Sequence, residues 1–281
     1  MRGYIDTRWG QLHYSSTGAG ARAIVLLHET PLSHGAFRRL APLLAGSFRV
    51  AAFDTPGYGQ SDPPPAIIDV ADYARTLAEG IDALGLERMT LFGCHTGASL
   101  AFALAVGPLR ERVDALVMSG FPYYSDEVRV AKVVPQAPEL KTDGSHLLET
   151  FYWEPDDYDP QMRSRLVSGV STDRTGAYNA FHAVFTYEPA KAIHRLACPV
   201  LLLSNRHDPL LAGDNRIPEE VPDSQQVLVE SARLPLYWTQ PSTVSAEITA
   251  FAEGKRSSAN QPSRQVLPFG RKECHYQTVG S

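Results

Sequence analysis

Cysteine is scarce in this chain. Cys94, Cys198 and Cys274 are the three among 281 residues, and they lie far apart without the spacing of a metal cluster. An odd, scattered set argues against a disulfide framework and fits a reducing compartment, so a cytoplasmic protein is expected. A basic excess is also lacking: 26 Lys and Arg face 31 Asp and Glu, for a net charge of −5. That balance argues against a nucleic-acid partner, because such binders present a basic face. No apolar run approaches the roughly 18 residues of a membrane span, and the opening MRGYIDTRWGQ has no apolar signal region. No phosphate-cradling glycine loop and no metal-ligand cluster is found, so no cofactor and no metal are expected. What remains is ordinary for a globular protein, 43% hydrophobic and 20% charged, and long enough for one large domain with an insertion.

The hydrophobic pattern alternates between two periods. Residues 4–7 and 11–15, split by Gly10, read as a hairpin. The apolar runs AIVLLH (23–28) and RVAAFD (49–54) read as buried strands, with helical spacing over 36–44 between them. From 69 to 84, Val70, Tyr73, Ala74, Leu77, Ile81 and Leu84 recur every three or four residues behind Asp69, which predicts an N-capped amphipathic helix. A strand over 88–92, a helix to 106 and a strand over 113–119 continue the alternation, which returns at 199–204, 226–230 and in a helix over 241–253. This βαβα order predicts a doubly wound, mostly parallel sheet with ligands at the carboxyl ends of its strands.

Two segments break the pattern. Residues 121–189 are rich in aromatics and acidic turns such as EPDDYDP, with helical stretches and no clear strand, and read as a helical cap inserted into a core of 1–120 and 190–254. Residues 255–281 carry five Lys and Arg against one Glu, a net of +4 that leaves about −9 on the rest. This basic tail is expected to be disordered, with docking on the acidic body or on a second subunit of a homodimer as the alternative.

Three loops fall at strand ends: His28-Glu29-Thr30-Pro31, Gly93-Cys94-His95-Thr96-Gly97 and Asn205-Arg206-His207-Asp208. With LLHETP, DTPGYGQSD, GCHTG, LLLSNRHD and ARLPLYWTQP in that order, the chain resembles the α/β-hydrolase fold superfamily over about residues 3–254. The resemblance implies that GCHTG is a nucleophile elbow, with His95 where the family has a serine, aspartate or cysteine. It also implies oxyanion donors at the N–H groups of Thr30 and Thr96, and the triad acid at Asp208. The catalytic histidine position falls in Ala232-Arg233-Leu234-Pro235, where Arg233 stands instead. A guanidinium stays charged and cannot act as a base, so ordinary serine hydrolysis is not expected. Replacement of both nucleophile and base reads as natural divergence.

His95 has the chemistry of a general acid or base near neutral pH. Three arrangements compete: Asp208 orients His95, Arg233 pairs with Asp208, or Arg233 clamps a substrate carboxylate. His28 is expected to serve loop geometry. Glu29, unusual for the family, is expected to face solvent, with a second acid/base role as the alternative. His34, Phe121, Trp153, His182, Tyr237 and Trp238 are candidates to line an apolar pocket, and Cys94 is expected to be a buried structural thiol. Two functions follow. One is an unconventional enzyme, a hydrolase or equally a lyase, isomerase or cyclase, that uses His95 as general acid/base, with a covalent nucleophile as the alternative, on a small carbonyl, ester or lactone compound. The other is an inactive relative that binds an apolar small molecule or a partner protein.

Overall fold

The computed structural model describes residues 1–125, 128, 141–152, 158–172, 179–231 and 233–255. Eight strands, β1 (Arg2–Thr7), β2 (Gly10–Thr17), β3 (Arg22–Leu27), β4 (Phe48–Phe53), β5 (Met89–Cys94), β6 (Val113–Ser119), β7 (Val200–Ser204) and β8 (Ser224–Leu228), form one sheet in the order β1-β2-β4-β3-β5-β6-β7-β8. The β1–β2 hairpin is antiparallel and joins β4 antiparallel; every pair from β4 to β8 is parallel. The period of two explains the layers. Val25 and Leu27 of β3 face one core, while Ile24 and Leu26 face the other. Burial on both faces is why these strands read as unbroken apolar runs.

Helix α1 (Ala41–Leu44) follows a 3-10 turn at His34–Arg38, so the single helix expected over 36–44 is two short pieces. Pro42 is the cause, since its ring suits a first helical turn and breaks a continuous one. Helix α2 (Val70–Ala83) starts where expected, with the Asp69 side chain accepting the Asp72 N–H at 2.7 Å. Helix α3 (Thr96–Val106) is buried at every one of its 11 residues. An apolar surface all round suits a helix enclosed between the sheet and other helices. Strand β8, the edge of the sheet, lies two residues upstream of the expected 226–230, because Ser224 and Gln225 pair by backbone with Val200 and Leu201 of β7.

Within 121–189 the described residues form the helices Ser145–Phe151, Pro160–Thr172 and Asn179–Thr186, with one isolated bridge from Tyr158 to Leu234. Apart from Lys255, the basic tail lies outside the described residues. Among the described residues no helix is long and apolar enough to cross a membrane. The carboxyl ends of β3, β5, β6 and β7 share one edge of the sheet. They present the segment after Leu27, then His95, Gly120 and the turn that reaches Asp208.

Candidate active site

Between β5 and α3 the chain turns on a single residue. His95 has φ 48° and ψ −115°, the one non-glycine at positive φ among the described residues. Such a conformation costs about 1–3 kcal/mol and persists only where the surroundings enforce it. They do so here by close approach. A Cβ on Gly93 would lie 2.2 Å from the Gly97 carbonyl oxygen, and one on Gly97 would lie 2.1 Å from that of Leu27. The His95 N–H extends the sheet by donating to Ser119 O at 3.0 Å, while its carbonyl accepts from Ala98 at 2.8 Å to start the helix. The elbow therefore has strand bonds on one side and helix bonds on the other.

The His95 ring reaches Asp208 directly, with Nε2 3.0 Å from Oδ2. A serine would leave that span empty; the longer imidazole fills it. Room for the ring comes from Gly120, where a Cβ would fall 2.5 Å from His95 Cδ2 and 2.7 Å from Asp208 Oδ2. Asp208 also makes its own turn, Oδ1 accepting the Leu210 N–H at 2.8 Å. Burial pushes the Asp208 carboxyl up, yet the charge and hydrogen bond of His95, with the Leu210 N–H, outweigh burial and hold it below its ordinary value. The His95 side chain remains 22% accessible, so the ring is not sealed.

Glu29 departs from expectation. It is buried at 3% exposure, with Oε2 3.8 Å from His95 Nδ1. Three donors converge on it: the Tyr158 hydroxyl and the Tyr237 hydroxyl (3.1 Å) on Oε1, and the Cys94 thiol (3.1 Å) on Oε2. Hydrogen bonds replace the lost hydration, which is why a carboxylate can sit inside here. His95 thus lies between two carboxylates. Burial, followed by the Glu29 charge, raises the Cys94 thiol and the Tyr237 phenol well above their ordinary values, so both remain neutral donors.

Arg233 also departs. It is exposed, and the bonds of its turn use its backbone: its N–H donates to Ser231 Oγ (3.2 Å), and its carbonyl accepts from Ser231 Oγ (2.7 Å) and Thr239 Oγ1 (3.1 Å). Asp208 pairs with His95, and Arg233 forms no ion pair among the described residues. The proposed oxyanion donors are adjacent but already engaged in part. Thr30 N–H donates to Thr96 Oγ1 at 2.7 Å, and the two threonine hydroxyls are 3.0 Å apart. Thr96 N–H lies in the first helical turn, where no intrahelical acceptor exists.

The pocket candidates divide. His28 is buried and clasps the loop, Nδ1 donating to Glu29 O (2.9 Å) and Nε2 accepting from Thr55 N (3.0 Å), and burial lowers its pKa. Phe121 is core, packed against Phe102 and Tyr123. His182 is exposed on its helix. Trp153 lies outside the described residues. Trp238 is fully buried, its Nε1 donating to Asp159 Oδ1 at 3.1 Å. His34 does line a cavity, of about 270 Å³, with Ser33, Gln60 and Arg165.

Among the described residues two groups of ligand-type side chains stand together, His13–His34–Asp54 and Glu29–Cys94–His95. In the first, Asp54 accepts His13 Nδ1 (2.8 Å), His34 Nδ1 (2.8 Å), His34 N (2.6 Å) and Gln60 N (2.9 Å). Burial opposes its charge, but these donors prevail and hold the carboxyl far below its ordinary value. Its lone pairs are spent on the loops, which marks a structural lock. Beneath the second group lies Asp214, which the sequence did not single out. It accepts from Phe121 N (2.7 Å), Gly120 N (3.3 Å) and Ser204 Oγ (2.7 Å), and burial, with the Asp208 charge adding, pushes it up to about 7.

Residues 22–158 match the family model described as alpha/beta hydrolase fold. The chain is 36% identical over 150 residues to a 2-hydroxy-6-oxononadienedioate/2-hydroxy-6-oxononatrienedioate hydrolase of Pseudomonas putida, a match covering 52% of this chain and 49% of that one. The chain thus spans about half the length of the first curated relatives it matches. A carboxylesterase of Bacillus subtilis is 26% identical over 264 residues, covering 89% of this chain and 87% of that one. Among solved structures, the enol-lactonase from Burkholderia xenovorans LB400 superposes with a TM-score of 0.76 at 19% identity, over 89% of this chain and 100% of that one.

Proposed function

From the premise that the chain has the α/β-hydrolase fold, we propose that it is an enzyme in which His95 is the general acid/base, acting on a small carbonyl, ester or lactone compound. The observation that carries this reading is the 3.0 Å bond from His95 Nε2 to Asp208, made from a strained elbow. With Nε2–H committed to Asp208, Nδ1 is the reacting nitrogen. Nδ1 takes a proton from water as the water oxygen attacks the carbonyl carbon. The imidazolium so formed has Asp208 at one nitrogen and Glu29 at the other, so its charge appears where two carboxylates already stand. The substrate oxygen, now negative, takes the Thr96 N–H and competes with the Thr96 hydroxyl for the Thr30 N–H. The imidazolium then returns its proton to the leaving oxygen. The hydrolase, carboxylesterase and lactonase names of the relatives support this substrate range.

The test is a panel of aryl and acyl esters and lactones with wild type, His95→Ala and Asp208→Asn. We expect His95→Ala to lower kcat/KM by about 100-fold or more, the scale of a positioned acid/base. Asp208→Asn should lower it by a smaller factor. Equal rates in wild type and His95→Ala would sink the role of His95. The second reading, an inactive binder of an apolar small molecule or partner protein, draws its support from the Thr30 N–H held by Thr96 and from the absence of a hydroxyl nucleophile at the elbow. It predicts no turnover on the panel in any variant.

A further inference from the structure

Away from His95, the indole of Trp238 is surrounded by positive charge. The guanidinium carbons of Arg39, Arg38 and Arg165 lie 4.0, 4.8 and 5.1 Å from its ring. An indole has two faces, so at least two of these cations share one. Arginine stems often cover an aromatic ring while the heads point to water. Here the heads themselves converge. Arg39 is held in place, donating to Trp238 O (3.1 Å) and Gln161 Oε1 (3.0 Å). Among the described residues none of the three has a carboxylate partner, in a chain where acids outnumber bases 31 to 26. Asp159, which could serve, accepts instead from the indole Nε1 (3.1 Å) and the Gln161 N–H (2.9 Å). Each cation–π contact is worth about 0.5–2 kcal/mol, and mutual repulsion of the guanidiniums opposes it.

Arg165 links this cluster to the cavity of about 270 Å³ beside Ser33, His34 and Ser168. Its Nη1 stands 3.3 Å from where a Cβ of residue 35 would be, so Gly35 leaves the head its place. Burial lowers the Arg165 pKa, and the charges of Arg38 and Arg39 lower it further. Arg165 is half-buried and Arg38 and Arg39 are exposed, so three like charges share one ring, and a bound anion would relieve their repulsion. We propose that Arg38, Arg39 and Arg165 around Trp238 form a binding site for one compact oxyanion, the acidic group of a small-molecule ligand that lodges in the adjoining cavity. Convergence on a single ring selects one compact group, since an extended diacid would need its cations apart. Planar guanidinium forks match the oxygens of such a group bidentately.

Inorganic phosphate is the probe, titrated into the full chain at constant ionic strength against chloride, with affinity from calorimetry and Tm from thermal unfolding. Wild type should bind saturably with a rise in Tm. Arg165→Gln should weaken binding by about tenfold or more. Arg38→Gln should raise Tm in chloride alone, by relieving repulsion, and lose most of the phosphate gain. His95→Ala should bind as wild type does. The proposal is overturned by no saturable binding in wild type, by unchanged affinity in folded Arg165→Gln, or by loss of binding in His95→Ala, which would put the anion at the elbow.

Discussion

Replacing a serine by a histidine at position 95 changes reach as well as acidity. The imidazole spans to Asp208 at 3.0 Å, a distance that a hydroxyl on the same elbow would leave to a second side chain. That span depends on Gly120, which carries φ +65° and faces both partners. Gly120→Ala should therefore part His95 from Asp208. We expect at least about a tenfold loss of kcat/KM and a loss of about 2 kcal/mol in unfolding free energy, from positive-φ strain and overpacking. Thr96→Ala tests the other side of the site. It removes the hydroxyl that holds the Thr30 N–H, so a working oxyanion hole should gain kcat while stability falls by about 1 kcal/mol. Unchanged kcat in ester and lactone assays would count against the Thr30 donor.

At the scale of elements, strands and long helices were readable because burial on both faces or on one stripe leaves a period in the sequence. β6 and α2 follow their patterns closely. The elbow was readable from Gly93 and Gly97, since only glycine fits where backbone meets backbone. The resemblance placed Asp208, and the length of an imidazole made its bond to His95 one of the alternatives. Glu29 was not readable, because its burial depends on Tyr158, Tyr237 and Cys94, drawn from positions 129, 208 and 65 residues away. For Arg233 the sequence left alternatives open, and of these the pairing with Asp208 is not formed. Aligning a position does not fix where a long side chain points, and here the turn bonds of Ser231 and Thr239 use the backbone. Gly97→Ala should abolish the native fold outright, read as loss of cooperative unfolding, because no flexible side chain is available to yield near Leu27.

At the scale of the molecule, three buried carboxyls give stability a pH dependence of mixed sign. Asp54 and Asp208 lie below their ordinary values, so what they contribute is present above the unfolded carboxylate range and lost as the pH falls through their folded values. Asp214 works the other way. Between the unfolded value near 3.8 and its folded value of about 7, the native state keeps a proton that the unfolded chain has released, so stability declines as pH rises. Asp214→Asn should gain on wild type across that window, by up to about 4 kcal/mol at pH 8. Chemical denaturation at pH 5 and pH 8 checks it, and a gap that does not widen with pH would refute the assignment. The tyrosine cradle of Glu29 has a mechanical consequence. Tyr158 lies two residues before the helix Pro160–Thr172, so lifting that helix off the sheet strips the carboxylate of one of three donors. The helix is thereby latched from below: any opening that admits a bulky guest carries a toll of about 1–3 kcal/mol, set by a side chain the guest never touches.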